Sequence, residues 1–122
     1  MVPFAALRVT MALLTGTALA CHQPPRTEAP LHLTTSAVGP DTRVTLHAGP
    51  HLKINARLAP ALELANGVVL RFAGDDLTPD SAYFAVPPSA VLAGHHDQVH
   101  GTLHVSVCRD DEQVCRSLTV EL

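Results

Sequence analysis

The sequence predicts an all-β fold, an antiparallel sandwich of short strands. Apolar and polar residues alternate in several short runs, and Gly, Pro, Asn and Asp separate these runs. Alternation with a period of two is typical of strands that bury one face. No stretch has the period of a long amphipathic helix. Short strands at regular spacing, with turn residues between them, favour a sandwich of immunoglobulin-like type.

The clearest alternation covers residues 43–48 and 51–58, with Gly49-Pro50 between them. In the second run every even position is apolar, which predicts one continuous strand as far as Leu58. Weaker strand candidates bounded by turn signals cover residues 62–64, 68–72 and 82–86. The nearest approach to a helix is at residues 88–93, which are compatible with a single helical turn.

The last part of the chain predicts a β-hairpin in which Cys108 lies opposite Cys115. That pairing sets the register of the whole hairpin, and the register then matches apolar with apolar and polar with polar residues. Because a slip of one residue would turn core side chains to solvent, this agreement predicts a cross-strand disulfide. Both sulfur atoms fall on the polar face, where we expect them to be reachable. The apolar pairs are Val105 with Leu118 and Leu103 with Val120; the polar pairs are Ser106 with Ser117, His104 with Thr119 and Thr102 with Glu121; Val107 opposite Arg116 is mixed.

Cys21 follows a segment with the layout of a secretory signal. Residues 1–8 carry one positive charge, residues 9–20 are uncharged and apolar, and Ala18-Leu19-Ala20 immediately precedes Cys21. The twelve residues 9–20 would cover only about 18 Å as a helix, less than the hydrocarbon core of about 30 Å. We therefore expect residues 1–20 to be a signal peptide that is removed after export.

The same cleavage site predicts a lipid anchor. TALAC resembles a bacterial lipobox, so Cys21 would become a lipidated N-terminal residue that holds the protein on the membrane, on the periplasmic side of the bacterial cell envelope. The usual Leu three residues before the Cys is here Ala18, and Ala-x-Ala also suits ordinary signal peptidase, so a soluble exported product stays open.

Residues 21–39 contain three prolines among polar residues and predict a flexible spacer, which leaves residues 40–122 as one small domain. The alternative is that residues 31–35, where Leu alternates with polar residues, form a first edge strand.

Composition excludes several function classes. The formal net charge is −3 and there is no run of Lys and Arg with interleaved aromatics, so nucleic acid is not an expected partner. The sequence has no Gly-rich phosphate loop, nucleophile elbow or HExxH motif, and it predicts no cofactor and no independent catalytic activity.

Charges near the cysteines oppose each other. The carboxylates of Asp110, Asp111 and Glu112 disfavour a thiolate, whereas the nearby Arg109 and Arg116 favour one. The expected pair is a weak nucleophile. This suits a resting disulfide that a partner's thiolate attacks, and it equally suits a purely structural staple.

Two segments resemble a known family. GTLHVSVCRDDEQVC and the following SLTVEL are similar to the last hairpin of the N-terminal periplasmic domain of the thiol:disulfide interchange protein DsbD and its stand-alone relatives. The upstream PHLKINARLAPALEL resembles that family's strand with a His and an Asn, followed by a Pro and a further apolar strand. The likeness covers roughly residues 40–122.

The resemblance implies an immunoglobulin-like sandwich whose Cys108 and Cys115 take electrons from one thioredoxin-like protein and pass them to another. Two departures stand out: six residues separate the cysteines where the family commonly has five, and Arg116-Ser117 replaces an aromatic residue and prolines. A relay of this kind would use thioredoxin-like or other envelope proteins in trans.

An alternative from a different class is a periplasmic metal-binding module for copper or zinc. His95, His96, His100 and His104 form a dense group with Asp97, and neutral imidazole is a common ligand of both metals. On an extended strand His100 and His104 lie about 13 Å apart, so a site would require His95 or His96 to fold back toward them.

Overall fold

The computed structural model describes residues 30–111 and 114–122, so the predicted signal peptide, Cys21 and the first part of the spacer lie outside the described residues. Within that part of the chain there are eight strands and no helix, and hence no helix that could cross a membrane. The strands are Leu31–Val38 (β1), Asp41–Ala48 (β2), Leu52–Ile54 (β3), Ala61–Leu64 (β4), Val69–Arg71 (β5), Ser89–Leu92 (β6), Gly101–Arg109 (β7) and Cys115–Glu121 (β8).

The strands form two antiparallel sheets, which confirms the predicted all-β sandwich. The first sheet has the order β1-β2-β6. The second is built around β7, which pairs with β8 along one edge and with β3 and then β4 along the other, while β5 pairs with β4. β7 is therefore the central strand of its sheet, and β8 is an edge strand.

The core lies between the sheets and is aliphatic with one aromatic ring. Leu46 of β2, Leu62 of β4 and Leu103 of β7 are fully buried, and Phe72 just after β5 is 1% exposed. Full burial of such a side chain contributes about 1.5–3 kcal/mol to the free energy of unfolding. Packing of these side chains between the two sheets holds the small domain together. The face of β7 that carries Leu103 points into this core, so its other face points outward.

The register of the terminal hairpin is the predicted one at every pair from Thr102 opposite Glu121 to Cys108 opposite Cys115. The apolar face of β8 is nevertheless only partly covered, since Leu118 is 36% exposed. An edge strand has a neighbour on one side only, which leaves part of its inner face open.

β1 corrects the predicted spacer. Leu31–Val38 pairs with β2 along its whole length, from Leu31 opposite Ala48 to Val38 opposite Asp41. The two-residue connection contains Gly39 at a φ of 57°, a left-handed conformation that favours glycine. Residues 31–38 thus belong to the first sheet. The prediction of a spacer as far as residue 39 is wrong for these residues, and the alternative of a first edge strand is the one observed.

β3 is shorter than predicted because Asn55 ends it. The Oδ1 atom of Asn55 accepts a hydrogen bond from the backbone N–H of Arg57 at 2.9 Å, which closes an Asx turn and diverts the chain from the strand. Leu58, predicted to lie on the buried face, is 59% exposed. The strand prediction for residues 51–58 therefore holds only for residues 52–54.

Two other interpretations are wrong. In residues 82–86 only Tyr83 and Phe84 pair, each through an isolated bridge rather than a strand. Ser89–Leu92, where the sequence is compatible with a helical turn, is β6 and pairs with β2. The carbonyl of Pro88 also accepts a hydrogen bond from Leu46 N–H at 2.9 Å, so pairing with distant β2 overrides the local preference.

Candidate functional site: the disulfide of the terminal hairpin

Cys108 near the end of β7 and Cys115 at the start of β8 are directly opposite each other. Their Cα atoms are 4.1 Å apart, and their sulfur atoms lie at disulfide-bond distance. The predicted pairing is therefore confirmed. Closing a loop of about eight residues restricts the unfolded chain and stabilises the fold by about 2.5 kcal/mol in the chain-entropy model.

The two cysteines differ in exposure. Cys108 is 2% exposed and Cys115 is half-buried. The chain after β3 stays against β7 next to Cys108: Asn55 N–H donates to the Ser106 carbonyl at 2.9 Å, and the Asn55 side-chain amide lies 3.4 Å from Ser106 Oγ. The expectation that both cysteines are reachable is therefore wrong for Cys108, and a reagent in solution meets Cys115 first.

Lys53 is a cation on the face of the sheet that carries the cysteines. It is the direct partner of Cys108 in the pairing of β3 with β7, so both side chains leave the same face of the sheet. Its Nζ atom lies 3.5 Å from Asp110 Oδ1 and 5.3 Å from the centre of the Tyr83 ring. These contacts hold the ammonium group beside the hairpin end.

Asp110 links two turns around the disulfide. Besides Lys53, its carboxylate has His51 Nδ1 at 3.6 Å, and its backbone N–H donates to the His51 carbonyl at 3.0 Å. His51 adopts a positive φ of 66° at this turn. The turn between β2 and β3 is thereby tied to the turn between β7 and β8.

Arg109 and Arg116, predicted to favour a thiolate, lie on the opposite face. Each is one residue away from a cysteine, and successive side chains of a strand alternate between faces. Both line an open apolar cleft of about 530 Å³, whose walls include Leu52, Val107 and Leu118. Sequence reasoning missed Lys53 because its approach to Cys108 depends on the non-local pairing of β3 with β7.

The histidines of the alternative metal site are not brought together. His95 pairs with Asp97 at 3.1 Å, and the His96 ring lies 2.9 Å from the Ala93 carbonyl. The His100 ring is 3.3 Å from Gln98 Oε1, and His104 lies between Glu63 and Thr119 at 3.7 and 3.4 Å. Among residues 30–111 and 114–122, no three His, Cys, Asp or Glu side chains are placed to hold one metal ion.

Comparison of the chain with models of protein families, with curated proteins and with solved structures gives no match. Fold and site together define the class of the protein: an antiparallel two-sheet sandwich with a disulfide at the end of its terminal hairpin.

Proposed function

We propose that this domain exchanges its Cys108–Cys115 disulfide with the dithiol of a thioredoxin-like protein in the cell envelope. The observation that carries the proposal is the asymmetry of the pair. Cys115 starts an edge strand and is half-buried, whereas Cys108 is 2% exposed and lies opposite Lys53. In this arrangement a partner's thiolate can reach the sulfur of Cys115, and Lys53 is paired with Cys108, the cysteine whose sulfur leaves.

The exchange follows from this asymmetry. A thiolate of the partner attacks Sγ of Cys115, a mixed disulfide forms, the Cys108–Cys115 bond breaks, and Cys108 leaves as a thiolate. The partner's second thiolate then attacks the partner's first sulfur, which is bonded to Cys115 in the mixed disulfide, and Cys115 leaves as a thiolate. Two electrons have passed from the partner's dithiol, which becomes a disulfide, to this domain, which becomes a dithiol.

The rest of the proposal concerns location. The resemblance of residues 1–21 to a lipoprotein signal, and of residues 40–122 to the DsbD N-terminal domain, supports an exported protein on the periplasmic side of a bacterial membrane, anchored by lipid on Cys21. Redox partners would act in trans. Replacement of Cys21 by Ser should move the protein from the membrane to the soluble fraction, and continued membrane attachment would contradict the anchor.

A second candidate is a disulfide-stapled module that binds proteins without redox chemistry. The observation in its favour is the apolar cleft on the face of the hairpin opposite the disulfide, where Val114, just before β8, is 68% exposed. In that case the disulfide would serve only to stabilise the hairpin.

The two candidates differ when reduced thioredoxin is added to the oxidised protein. Exchange predicts that the disulfide is reduced while the fold is intact. It also predicts that C108S, whose Cys115 is first converted to a mixed disulfide with thionitrobenzoate, loses thionitrobenzoate to the thiolate of a thioredoxin lacking its resolving cysteine and so traps a mixed disulfide on Cys115. The matched C115S variant should trap less because Cys108 is buried. A disulfide that thioredoxin reduces only after unfolding in urea would contradict exchange and favour the stapled module.

A further inference from the structure

A pair of histidines lies on the first sheet, away from the disulfide, which is on the second sheet. His32 of β1 and His47 of β2 are direct partners in the antiparallel pairing, and both leave the outward face because their neighbours Leu31 and Leu46 are buried in the core. His32 is exposed and His47 is half-buried. The two rings stack with their centroids 4.8 Å apart and their planes 11° from parallel.

This separation matches what a shared metal ion requires. With metal–nitrogen bonds of about 2.0–2.1 Å and ligand angles of about 90–110°, the centroids of two imidazole rings on one ion lie about 4.5–5.2 Å apart. The observed 4.8 Å falls within that range. Only the ring orientations must change, and partly exposed rings can rotate about their side-chain torsions without moving the strands.

Thr34 supplies an orienting contact. Its Oγ1 atom lies 2.7 Å from Nε2 of His47, on the residue of β1 that is diagonal to His47. A partner at one ring nitrogen leaves the other nitrogen as the one that can bind metal. The hydroxyl of Thr34 thus occupies Nε2 of His47, so Nδ1 is the nitrogen of this ring that would bind the metal ion.

We propose that His32 and His47 form a two-histidine site for a divalent transition metal, with copper(II) bound more tightly than zinc. Imidazole nitrogen suits both ions, and copper(II) heads the order of affinities for a given set of nitrogen ligands. Two neighbouring positions of a tetragonal copper(II) ion take the two rings, and water fills the remaining positions. The ion joins the edge strand β1 to β2 and stabilises that edge of the first sheet.

The site does not depend on the proposed disulfide exchange, because it uses neither cysteine and lies on the other sheet. It also differs from the group at residues 95–104, whose rings have separate partners. Those histidines supply a matched control: His100 is exposed and its ring lies 3.3 Å from Gln98 Oε1.

The test is titration of the full-length, metal-stripped, oxidised protein with copper(II) alone and with zinc(II) alone. We expect H32Q and H47Q each to weaken copper(II) binding at least tenfold, whereas H100Q, and H22Q near the N-terminus, leave it unchanged. Paramagnetic resonance of the copper(II) complex should show two imidazole nitrogens in the wild-type protein and one in either pair variant.

Nuclear magnetic resonance of the unaltered protein gives a second measurement, which does not depend on how the variants fold. Substoichiometric copper(II) should broaden the ring signals of His32 and His47 before those of His95, His96, His100 and His104. Broadening that starts at the other histidines, a spectrum with a single nitrogen ligand, or H32Q and H47Q proteins that bind like wild type would each overturn the site.

Discussion

Lys53 and Cys108 lie directly across from each other on β3 and β7, and Cys115 lies across from Cys108 on the other side. Three adjacent strands therefore place Lys53, the buried Cys108 and the half-buried Cys115 in one row, with their side chains on one face. A cation near a departing sulfur stabilises the thiolate that forms when the disulfide opens. Asp110 contacts Lys53 beside this row, and the His51 ring contacts Asp110.

Replacement of Lys53 by Met should slow opening of the disulfide by reduced glutathione. Because the Lys53 side chain is 47% exposed, water screens its charge, and we expect a rate about two- to fivefold lower at low ionic strength. K53R should retain the wild-type rate, and D110N should raise it by removing the opposing carboxylate. The difference between K53M and wild type should shrink as salt is added. Equal rates for K53M and K53R would show that the charge has no role.

A comparison of two leucines tests the corrected course of the chain after β3. Leu103 is fully buried, so L103A should lower the free energy of unfolding by about 2–5 kcal/mol. Leu58 is 59% exposed after the Asx turn at Asn55, so L58A should change it by no more than about 0.5 kcal/mol. Urea unfolding of both variants gives the values. A large loss for L58A would mean that residues 55–58 continue the strand inward.

The hairpin could be predicted because it is local and its register has an internal check. Two cysteines and the alternating residues around them agree on one pairing, and that pairing is the observed one. The end of β3 was missed because alternation continues through Asn55, whereas the side-chain hydrogen bond of Asn55 ends the strand. Apolar periodicity does not report such a competing side-chain contact.

The surroundings of the disulfide could not be predicted for a different reason. Lys53 meets Cys108, and His32 meets His47, only through pairings between strands, and the first pair is far apart in sequence. The sequence favoured Arg109 and Arg116 because they are neighbours along the chain, but alternation places them on the other face. The class of fold follows from local pattern, whereas the electrostatics of the site require the pairing of distant strands.

Gly101 tests the pairing of β4 with β7. A Cβ atom there would collide with the backbone carbonyl of Glu63 on the neighbouring strand, so G101A requires the strands to move apart. We expect a loss of about 1–3 kcal/mol in the free energy of unfolding. At Gly49 the nearest atom to an added Cβ is the Pro30 carbonyl oxygen at 3.4 Å, an ordinary contact, so G49A is the matched control and should be nearly neutral. Similar losses for both variants would contradict this pairing.

His47 should make stability depend on pH in the weakly acidic range. Loss of hydration, and then repulsion from a protonated His32, hold the pKa of His47 below its ordinary value of 6.5. Below that value the unfolded state binds a proton that the folded state resists, so stability falls as the pH drops below about 6.5 and is fully present above it. The midpoint of urea unfolding, measured with a metal chelator present, should fall as the pH is lowered below about 6.5, and H47Q should reduce this dependence on pH. A slope that is unchanged in H47Q would assign it to other groups.

The most direct test of the proposed exchange is the reduction potential of the Cys108–Cys115 pair in the folded protein, measured against glutathione or dithiothreitol buffers. Exchange with thioredoxin-like partners predicts a potential of about −200 mV, within the range of working redox couples. A potential below about −300 mV would contradict exchange, because such a disulfide resists reduction by cellular thiols and acts as a structural staple.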